Sequence, residues 1–280
     1  SAAGGGRVVV EGGTFWIKPI LLKDGVDLHL ERTATLFASG DWRDYPARGN
    51  LKTVVSEDMP RGRDSALITA DSARGVALTG DGVINGNSEP FVEAVPNSEH
   101  SKWKFHRIGH NKLSPPRVVL FASCTDVRVE DVTLRDSARW TLYLAKVDGF
   151  AVRRIRIRAH RNWNNDGIDI KGRNGVVEDC DIDSEDDSIV FKAQEPDYVV
   201  ENVKVRRCRL SGNTNCIKIG TETFGTFRNI EVSDCEVKLT QPPAVLPYLS
   251  RIPGLAPNTR CTKIGIAVEM VDGGTIDGVT

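Results

Sequence analysis

A chain of 280 residues with a formal net charge of −1 carries no overall field that would draw it to nucleic acid or to an anionic membrane. No run approaches the roughly 18 apolar residues of a membrane span, and the six cysteines include no C-x-x-C pair of the kind that zinc modules use. The length is sufficient for one large domain with a sizeable core, or for two small ones.

The first part of the chain predicts short β-strands separated by two long loops. Apolar and alternating runs indicate strands at residues 8–10, 14–17, 26–30, 34–37, 66–69, 76–78 and 83–84. Polar stretches that contain Pro with Arg or His predict loops at residues 41–65 and 86–116. Residues 1–6 lack the basic and apolar regions of a signal peptide, and the last residues stop within a strand-like pattern. We therefore expect both ends to be cut from a longer domain.

A repeat of alternating apolar triplets begins after residue 117. The triplets start at Val119, Leu142, Ile168, Ile189, Ile217 and Ile266. The first four intervals are 21 to 28 residues long, and the fifth is 49 because it contains a Pro-rich segment that predicts a loop at residues 241–260. A second alternating run follows most of the triplets. The pattern indicates a stack of similar units.

This period, with two or three short strands in each unit and no helical periodicity, predicts an all-β parallel β-helix, or β-solenoid. Each unit is one coil, and successive coils stack about 4.8 Å apart. An antiparallel sandwich also has many short strands, but it would not place the same residue class at the same phase of every unit. We predict a single parallel β-helix domain over residues 1–280.

Acidic residues stand two positions before two consecutive triplets. From Leu142 onward this position holds Trp140, Asp166, Asp187, Asn215 and Ile264. Stacked coils would place Asp166 next to Asp187, with Asp186 beside them. Three close carboxylates repel one another, so at least one pKa should rise until that group holds a proton near neutrality. One protonated and one ionised carboxyl are what hydrolysis of a glycosidic bond requires, and Trp140 would suit a sugar ring.

Other interpretations of these features stay open. Acidic residues at solenoid turns can simply be solvated, or can bind Ca²⁺. His106 and His110 lie in a loop-like stretch without Glu or Cys at ligand spacing, which favours a cleft rim over a metal site. Three cysteines fall at equivalent places in the repeat, and we expect them to be buried thiols or to form a disulfide between coils: Cys180, Cys208 and Cys235. Four arginines alternate in part with apolar residues, and we expect them to form a solvated strand face: Arg153, Arg154, Arg156 and Arg158.

Three stretches carry a resemblance to a known family: Asn-x-Asp-Gly-Ile-Asp at residues 164–169, Asp-Asp-x-Ile-x-x-Lys at residues 186–192, and the upstream run at residues 136–140. Residues 124–192 resemble the catalytic region of glycoside hydrolase family 28, the polygalacturonase-like pectin hydrolases, and similarity extends to residues 12–15 and 28–36. The resemblance implies a right-handed parallel β-helix and an inverting hydrolase with no metal or other cofactor. It also implies that Asp186 is the general acid and that Asp166 and Asp187 activate water.

The chain departs from this family at residues that bind a uronate. The resemblance places the His of a Gly-His-Gly motif at Asn215, and an Arg-x-Lys pair that grips the uronate carboxylate at Ala267 and Glu269. One subsite therefore loses cations and gains an acid, which favours another pectic or neutral-sugar linkage over unmodified polygalacturonate. The candidate substrate-binding residues are Trp140, Asn164, Lys192, Asn215, Lys218, Glu222 and Glu269, with Arg228 as a further candidate at the altered subsite.

Three functions are compatible with the sequence. An inverting hydrolase of a pectin-type polysaccharide leads, because all three acids are present. A non-catalytic carbohydrate-binding β-helix follows, because decay of catalysis would also remove the His, Arg and Lys. A polysaccharide lyase is less favoured, because no basic residue joins the acid column. The substrate class implies a polysaccharide or oligosaccharide partner, no nucleic acid or membrane partner, a monomer, and a secreted or periplasmic location.

Overall fold

The chain forms a right-handed parallel β-helix, as predicted. The description is that of a computed structural model and covers residues 4–45, 65–91, 93–96, 103–106, 115–159, 164–212, 214–238 and 264–280. Short parallel strands stack coil upon coil into a 15-stranded sheet and an 8-stranded sheet. Strands β14 (Leu142–Arg153) and β16 (Ile168–Glu178) pair along two adjoining faces of the first sheet, so the coil has three faces. No described helix is long and apolar enough to cross a membrane.

The three faces share one order of strands along the axis. Face 1 contains β3 (Ile20–Leu22), β6 (Ala66–Asp71), β11 (Arg117–Ala122), the first parts of β14 (Leu142–Arg153) and β16 (Ile168–Glu178), β18 (Ile189–Ala193), β21 (Asn215–Thr223) and β24 (Ile264–Val268). Face 2 contains β1 (Gly6–Val10), β4 (Val26–Leu30), β7 (Ala77–Thr79), β12 (Thr125–Glu130), the second parts of β14 and β16, β19 (Val199–Arg206), β22 (Thr226–Ser233) and β25 (Thr275–Val279). Face 3 contains β2 (Gly13–Ile17), β5 (Ala34–Ala38), β8 (Val83–Asn85), β13 (Thr133–Arg135), β15 (Arg156–Ala159), β17 (Asp181–Ser184), β20 (Arg209–Gly212) and β23 (Glu236–Lys238).

The register of Face 1 follows the apolar triplets. Ile168 pairs with Leu142 on one side and with Ile189 on the other, and Ile217 pairs with both Ile189 and Ile266. Because side chains alternate along a strand, every second residue of each triplet column points into the coil. Most of these inward residues are fully buried and belong to one continuous core that runs along the axis.

The loop predictions were only partly right. Within residues 86–116 the structure has a single-turn 3₁₀ helix at Glu89–Phe91 and an antiparallel pair, β9 (Glu93–Pro96) with β10 (Trp103–His106). This pair stands outside the repeat, so it carries none of the periodic signal that marked the coils. The predicted loop at 41–65 begins with a 3₁₀ turn at Trp42–Asp44, while most of its remainder, like the predicted loop at 241–260, lies outside the described residues.

The corner between Face 2 and Face 3 carries a column of alternating charge. Asp131, Arg154, Asp179, Arg207 and Asp234 occupy the same position in five successive coils, each with φ between 52° and 69°. Arg154 Nε lies 2.7 Å from Asp131 Oδ1, and Arg207 Nε lies 2.8 Å from Asp179 Oδ1. We call this column, together with the adjoining column of Glu130, Arg153, Glu178 and Arg206, the charge ladder.

The charge ladder corrects the expectation of a merely solvated strand face. Glu178 accepts hydrogen bonds from arginines of the coils above and below it, with distances of 2.6 Å to Arg153 Nε and 2.7 Å to Arg206 Nε. Arg158, on Face 3, binds Asp181 at 3.1 Å. The arginines therefore join neighbouring coils, although their outer ends stay partly exposed to water.

The aligned cysteines are thiols. Cys180 and Cys208 are buried, Cys235 is partly buried, and every cysteine in the described part of the chain is free. Each of the three thiols lies near backbone carbonyls of its own and the neighbouring coil. The prediction of buried thiols is confirmed for this column, and its alternative of a disulfide between coils is not.

Candidate active site

The predicted acid column lies where the chain enters Face 1. The N–H of Gly167 donates to the carbonyl of Asp187 at 2.8 Å, and the N–H of Ser188 donates to the carbonyl of Asn215 at 2.9 Å. These bonds stack Asp166, Asp187 and Asn215 on three successive coils, just before β16, β18 and β21. Asp186, next in the chain to Asp187, is half-buried, whereas Asp166 and Asp187 are buried.

Two glycines allow the coils to approach closely at this point. A Cβ on Gly167 would lie 2.5 Å from the carbonyl oxygen of Ser188 and 2.5 Å from Ile182. A Cβ on Gly212 would lie 2.8 Å from the carbonyl oxygen of Asp186. Any larger residue at Gly167 would push the Asp166 turn away from the turn that carries Asp186, so the Asp-Gly sequence is a requirement of the stacking.

Asp187 is held by donors from the next coil. Its Oδ1 accepts from the backbone N–H of Asn215 at 3.0 Å, from the Asn215 side-chain amide at 2.6 Å and from the Thr214 hydroxyl at 2.5 Å. The Lys218 Nζ lies 3.3 Å from Oδ2. Hydrogen bonds and a cation of this kind favour the charged form of a carboxyl group. The geometry therefore suits Asp187 as an ionised carboxylate.

Asp186 faces the same hydroxyl, and among the described residues it has fewer donors than Asp187. Its Oδ2 accepts from the backbone N–H of Asn164 at 2.8 Å, and its Oδ1 lies 2.7 Å from the Thr214 Oγ1. Burial and the charge of Asp187 raise the pKa of Asp186, while the backbone N–H of Asn164 and the cation of Lys218 act in the opposite direction and only in part offset this. The result is a partly exposed carboxyl group with an increased tendency to hold a proton.

Asp166 is the most strongly perturbed acid of the column. Burial raises the pKa of Asp166 well above its usual value, and the charges of Asp169 and Asp186 add to the effect. Burial also raises the pKa of Asp169 to about 7, although the cation of Lys192 opposes it. Carboxyl groups with such environments are candidates for proton transfer.

A buried cation lies under the acids. The Lys192 Nζ is 2.8 Å from Glu222 Oε2 and 3.6 Å from Asp169 Oδ1, and it lies 4.3 Å from the centre of the Trp140 ring. Burial alone would lower the pKa of Lys192, but the carboxylates of Glu222, Asp169 and Asp166 raise it above its usual value. Lys192 therefore stays charged and balances part of the negative charge of the column.

Trp140 is placed differently from the expectation that its ring suits a sugar. Its exposure is only 3%, and its ring is approached by the guanidinium groups of Arg117 and Arg139, each 4.9 Å from the ring centre, as well as by Lys192. Cations of this kind bind the face of an indole ring. In this arrangement Trp140 positions the buried cations beneath the acids and offers no open face to a sugar.

The altered subsite is closed by an ion pair. The Lys218 Nζ lies 3.0 Å from Glu269 Oε2 in addition to its contact with Asp187. Ala267 is the Cα partner of Lys218 on the adjoining strand, so two of the three departures from the family pattern, Ala267 and Glu269, meet at Lys218. This lysine is a basic residue beside the acid column, which the sequence had not led us to expect.

Not every candidate lies at this site. Arg228 is in β22 on Face 2, where it is exposed and lies 3.6 Å from both Glu201 and Asp277. The coil turns between Lys218 and Arg228, so residues ten apart in the chain stand on different faces. Arg228 is therefore not part of the altered subsite. His106 lies in β10, while His110 lies outside the described residues.

Two residues of the site escaped the sequence analysis as functional candidates. Asp169 was quoted only as the last residue of a motif, and Thr214 not as a candidate at all. The alternation of β16 places Asp169 on the outer side of Face 1, the same side as the acids, which is a signal that the sequence contained. Thr214 precedes a motif position in an irregular turn, and nothing in its pattern distinguishes it from other threonines.

The chain is similar to known glycosyl hydrolases. The sequence pattern of Glycosyl hydrolases family 28 matches residues 47–243. A probable polygalacturonase of Vitis vinifera is 26% identical over 242 residues, which cover 82% of this chain and 47% of that protein. A probable rhamnogalacturonase A of Aspergillus oryzae is 30% identical over 121 residues, which cover 43% of this chain and 25% of that protein.

The fold of the chain is also similar to that of a solved structure. The crystal structure of an exopolygalacturonase from Thermotoga maritima superposes with a TM-score of 0.66 at 24% identity, over 85% of this chain and 62% of that one. The chain spans about half the length of the plant relative, 47% of it. Because the family pattern matches well over half of the 280 residues and includes the acid column, the chain belongs to glycosyl hydrolases family 28.

Proposed function

We propose that this chain hydrolyses glycosidic bonds in a pectin-type polysaccharide with inversion at the anomeric carbon. Asp186 is the general acid, and Asp166 and Asp187 activate the attacking water. The observation that carries the proposal is the meeting of three carboxyl groups from two adjacent coils at one point of Face 1, with opposite environments for Asp186 and Asp187.

The environments suit the two halves of the reaction. A general acid must hold its proton at the working pH and reach the glycosidic oxygen; the raised pKa of Asp186 favours the first and its partial exposure favours the second. A base must be ionised and must face a water molecule on the opposite side of the sugar. Asp187, held by Asn215 and Lys218, supplies the negative charge, and Asp166 lies next to it in the column.

The charge of the altered subsite bears on the substrate. Lys218 is already neutralised by Asp187 and Glu269, so a uronate carboxylate at this point would meet the negative charge of Glu269 without a free cation. We propose that a neutral sugar occupies this subsite, next to a uronate elsewhere in the chain of sugars. A mixed pectic backbone fits this better than polygalacturonate, and one relative is named as a rhamnogalacturonase.

A polymeric substrate of this class also supports a secreted or periplasmic location, and an extended solenoid supports a monomer.

Product analysis on a panel of pectic oligosaccharides tests the proposal. The panel contains unmodified oligogalacturonides and oligosaccharides in which rhamnose alternates with galacturonate, and the proteins are wild type, Asp186→Asn and the exposed control Asp197→Asn. We expect cleavage of the mixed backbone by wild type and control, with loss of at least about a hundredfold in Asp186→Asn because general acid catalysis contributes that much. NMR of the first product should show the inverted anomer.

Two other outcomes would replace the proposal. An unsaturated, ultraviolet-absorbing product would indicate a lyase, for which Lys218, 3.3 Å from Asp187, would be a candidate base. Binding to the oligosaccharides without any product would indicate a carbohydrate-binding β-helix. That alternative is favoured by Asn215, Ala267 and Glu269, which stand where the family pattern places His, Arg and Lys.

A further inference from the structure

A single hydroxyl group lies between the two adjacent acids. The Thr214 Oγ1 is 2.7 Å from Asp186 Oδ1 and 2.5 Å from Asp187 Oδ1. Both distances lie in the range of O–H···O hydrogen bonds. Thr214 stands where the family resemblance places the first glycine of Gly-His-Gly, so this hydroxyl is an addition of this chain.

The number of hydrogens restricts how these contacts can be made. A threonine hydroxyl has one hydrogen and can donate one hydrogen bond, while its oxygen can accept others. An ionised carboxylate can only accept. If Asp186 and Asp187 were both ionised, one of them would face an oxygen lone pair at a distance of 2.7 Å or less. A neutral carboxyl on one side removes this conflict, because it can donate to the hydroxyl.

The surrounding contacts decide which carboxyl is neutral. Asp187 receives the backbone N–H and the side-chain amide of Asn215, and the cation of Lys218 lies beside it. Among the described residues, Asp186 has the N–H of Asn164 as the donor to its other oxygen. Ionising Asp186 instead of Asp187 would leave several donors without an ionised acceptor. The hydrogen therefore belongs on Asp186 Oδ1.

We propose that Thr214 is a positioning residue that assigns the shared proton to Asp186. Neutral Asp186 donates its proton to Thr214 Oγ1, and the hydroxyl donates its own hydrogen to ionised Asp187. No covalent bond changes in this arrangement; the hydroxyl sets the direction of two hydrogen bonds. The assignment of the proton stands on the geometry, and its catalytic meaning rests on the proposed function.

The proposal and a simpler arrangement, in which Thr214 only donates, predict opposite shifts in the pKa of Asp186 when the hydroxyl is removed. If Thr214 only donated to an ionised Asp186, removal of the hydroxyl would raise the pKa of Asp186. Under the proposal, removal takes an acceptor from neutral Asp186 and a donor from ionised Asp187, so the proton leaves Asp186 at lower pH. The two arrangements can therefore be separated by the direction in which Asp186 titrates.

A titration without substrate gives the first test. The protein labelled with ¹³Cγ-aspartate is followed by NMR against pH as wild type, Thr214→Ser, Thr214→Val and Thr214→Gly, with Asp186→Asn to assign the signal. Wild type and the serine variant should titrate alike. Thr214→Val should shift the Asp186 midpoint downward by roughly one pH unit, the size expected for one hydrogen bond to a charged group. An upward shift, or no shift in either hydroxyl-free variant, would overturn the proposal.

The choice of variants isolates the hydroxyl. The other charged groups around the pair, Asp166, Lys192, Lys218 and Glu269, are the same in every protein compared. Thr214→Gly restores the residue of the family motif and serves as the second hydroxyl-free variant if valine does not fold. Both hydroxyl-free variants should move the Asp186 signal in the same direction.

A pH–rate profile gives the second test. In Thr214→Val the alkaline limb should move to lower pH, with a loss of roughly tenfold in rate for each pH unit of the shift, and Thr214→Ser should restore the wild-type profile. A uniform loss of rate at every pH would indicate only a structural role. If wild type cleaves nothing while the NMR shift is found, the hydrolase proposal fails and the proton assignment stands.

Discussion

Asp166 is a carboxyl group in a place that opposes its ionisation. It is buried, and its pKa is raised well above the usual value by that burial and by the charges of Asp169 and Asp186. An acid whose pKa is higher in the folded protein than in the unfolded chain destabilises the fold where only the unfolded chain is ionised. This cost begins near the unfolded pKa, about 4, and grows as the pH rises toward the folded pKa.

Replacement of Asp166 by Asn should therefore increase stability while it removes activity. The amide has the same shape and carries no charge, so we expect the free energy of unfolding of Asp166→Asn to exceed that of wild type by about 1–2 kcal/mol at pH 8 and to match it near pH 4. Urea unfolding over this pH range measures the difference. Asp197→Asn, at an exposed turn, should show no such trend, and a gap that narrows toward high pH would contradict the account.

The residues of the site were predictable to different degrees. Asp166 and Asp187 could be aligned because the apolar triplets fixed the phase of the coils, and Asn215 followed from the same phase. The burial of Trp140 could not be predicted, because it depends on Arg117 and Lys192, which reach it from other coils. A lone Trp just before a strand looks the same in a sequence whether cations cover it or a sugar does.

At the scale of the element, the ion pairs of the charge ladder join neighbouring coils. Glu178 is bound by Arg153, Arg206 and Arg207, and hydrogen bonds from Arg153 and Arg206 lower its pKa to about 2 even though burial opposes the shift. A carboxyl whose pKa is lowered by folding adds stability above its unfolded pKa, and this contribution is lost as the pH falls toward the folded pKa. The ladder therefore adds an acid-sensitive contribution to stability.

The substitution Glu178→Gln measures that contribution. We expect a loss of about 1–3 kcal/mol in the free energy of unfolding at pH 7, because bonds to charged partners are replaced by weaker neutral ones. The difference from wild type should shrink as the pH falls from about 4.5 toward 2. The control is Glu236→Gln, whose side chain is 54% exposed. A difference that persists unchanged at pH 2.5 would show that packing, and not charge, holds Glu178.

Elements that belong to the repeat were predictable, and those outside it were not. β18 and β21 could be located because each contains an apolar triplet at the common phase. β3 (Ile20–Leu22) is an exception, because it stacks on β6 but is a continuous apolar run too short to show alternation. β9 and β10 pair only with each other, so no neighbouring coil imposes a pattern on them. The apolar repeat in the sequence arises from the stacking of coils, so a strand that does not stack on another coil cannot be predicted from it.

At the scale of the molecule, burial depends on position along the axis more than on residue type. Ile189, Ile217 and Ile266 form one inward column, yet Ile189 is fully buried, Ile217 is 3% exposed and Ile266 is 65% exposed. Each coil of a solenoid is covered only by its neighbours. The coils in the middle of the described stack therefore gain most from burial.

The same substitution at two points of this column tests the gradient. Ile189→Ala should reduce the free energy of unfolding by about 2–5 kcal/mol, because it leaves a cavity in a buried coil. Ile266→Ala should cost less than about 1 kcal/mol, within the range of strand preferences at an exposed site. Urea unfolding gives both values, and hydrogen exchange should be slowest in β16 and β18. Equal costs at the two positions would show that Ile266 is covered in solution.

The charge ladder also limits how a protein of this kind can grow. Its signs alternate from coil to coil through Asp131, Arg154, Asp179 and Arg207, so the charge pattern repeats every second coil whereas the fold repeats every coil. Tandem duplication of one coil would stack arginine on arginine or aspartate on aspartate, which is unfavourable for directly opposed side chains. Duplication of two coils would preserve every ion pair. This solenoid can therefore be lengthened by two coils at a time without a change to the charge ladder. The addition of a single coil, by gene duplication or by design, requires new residues in the ladder to restore the alternation of charge.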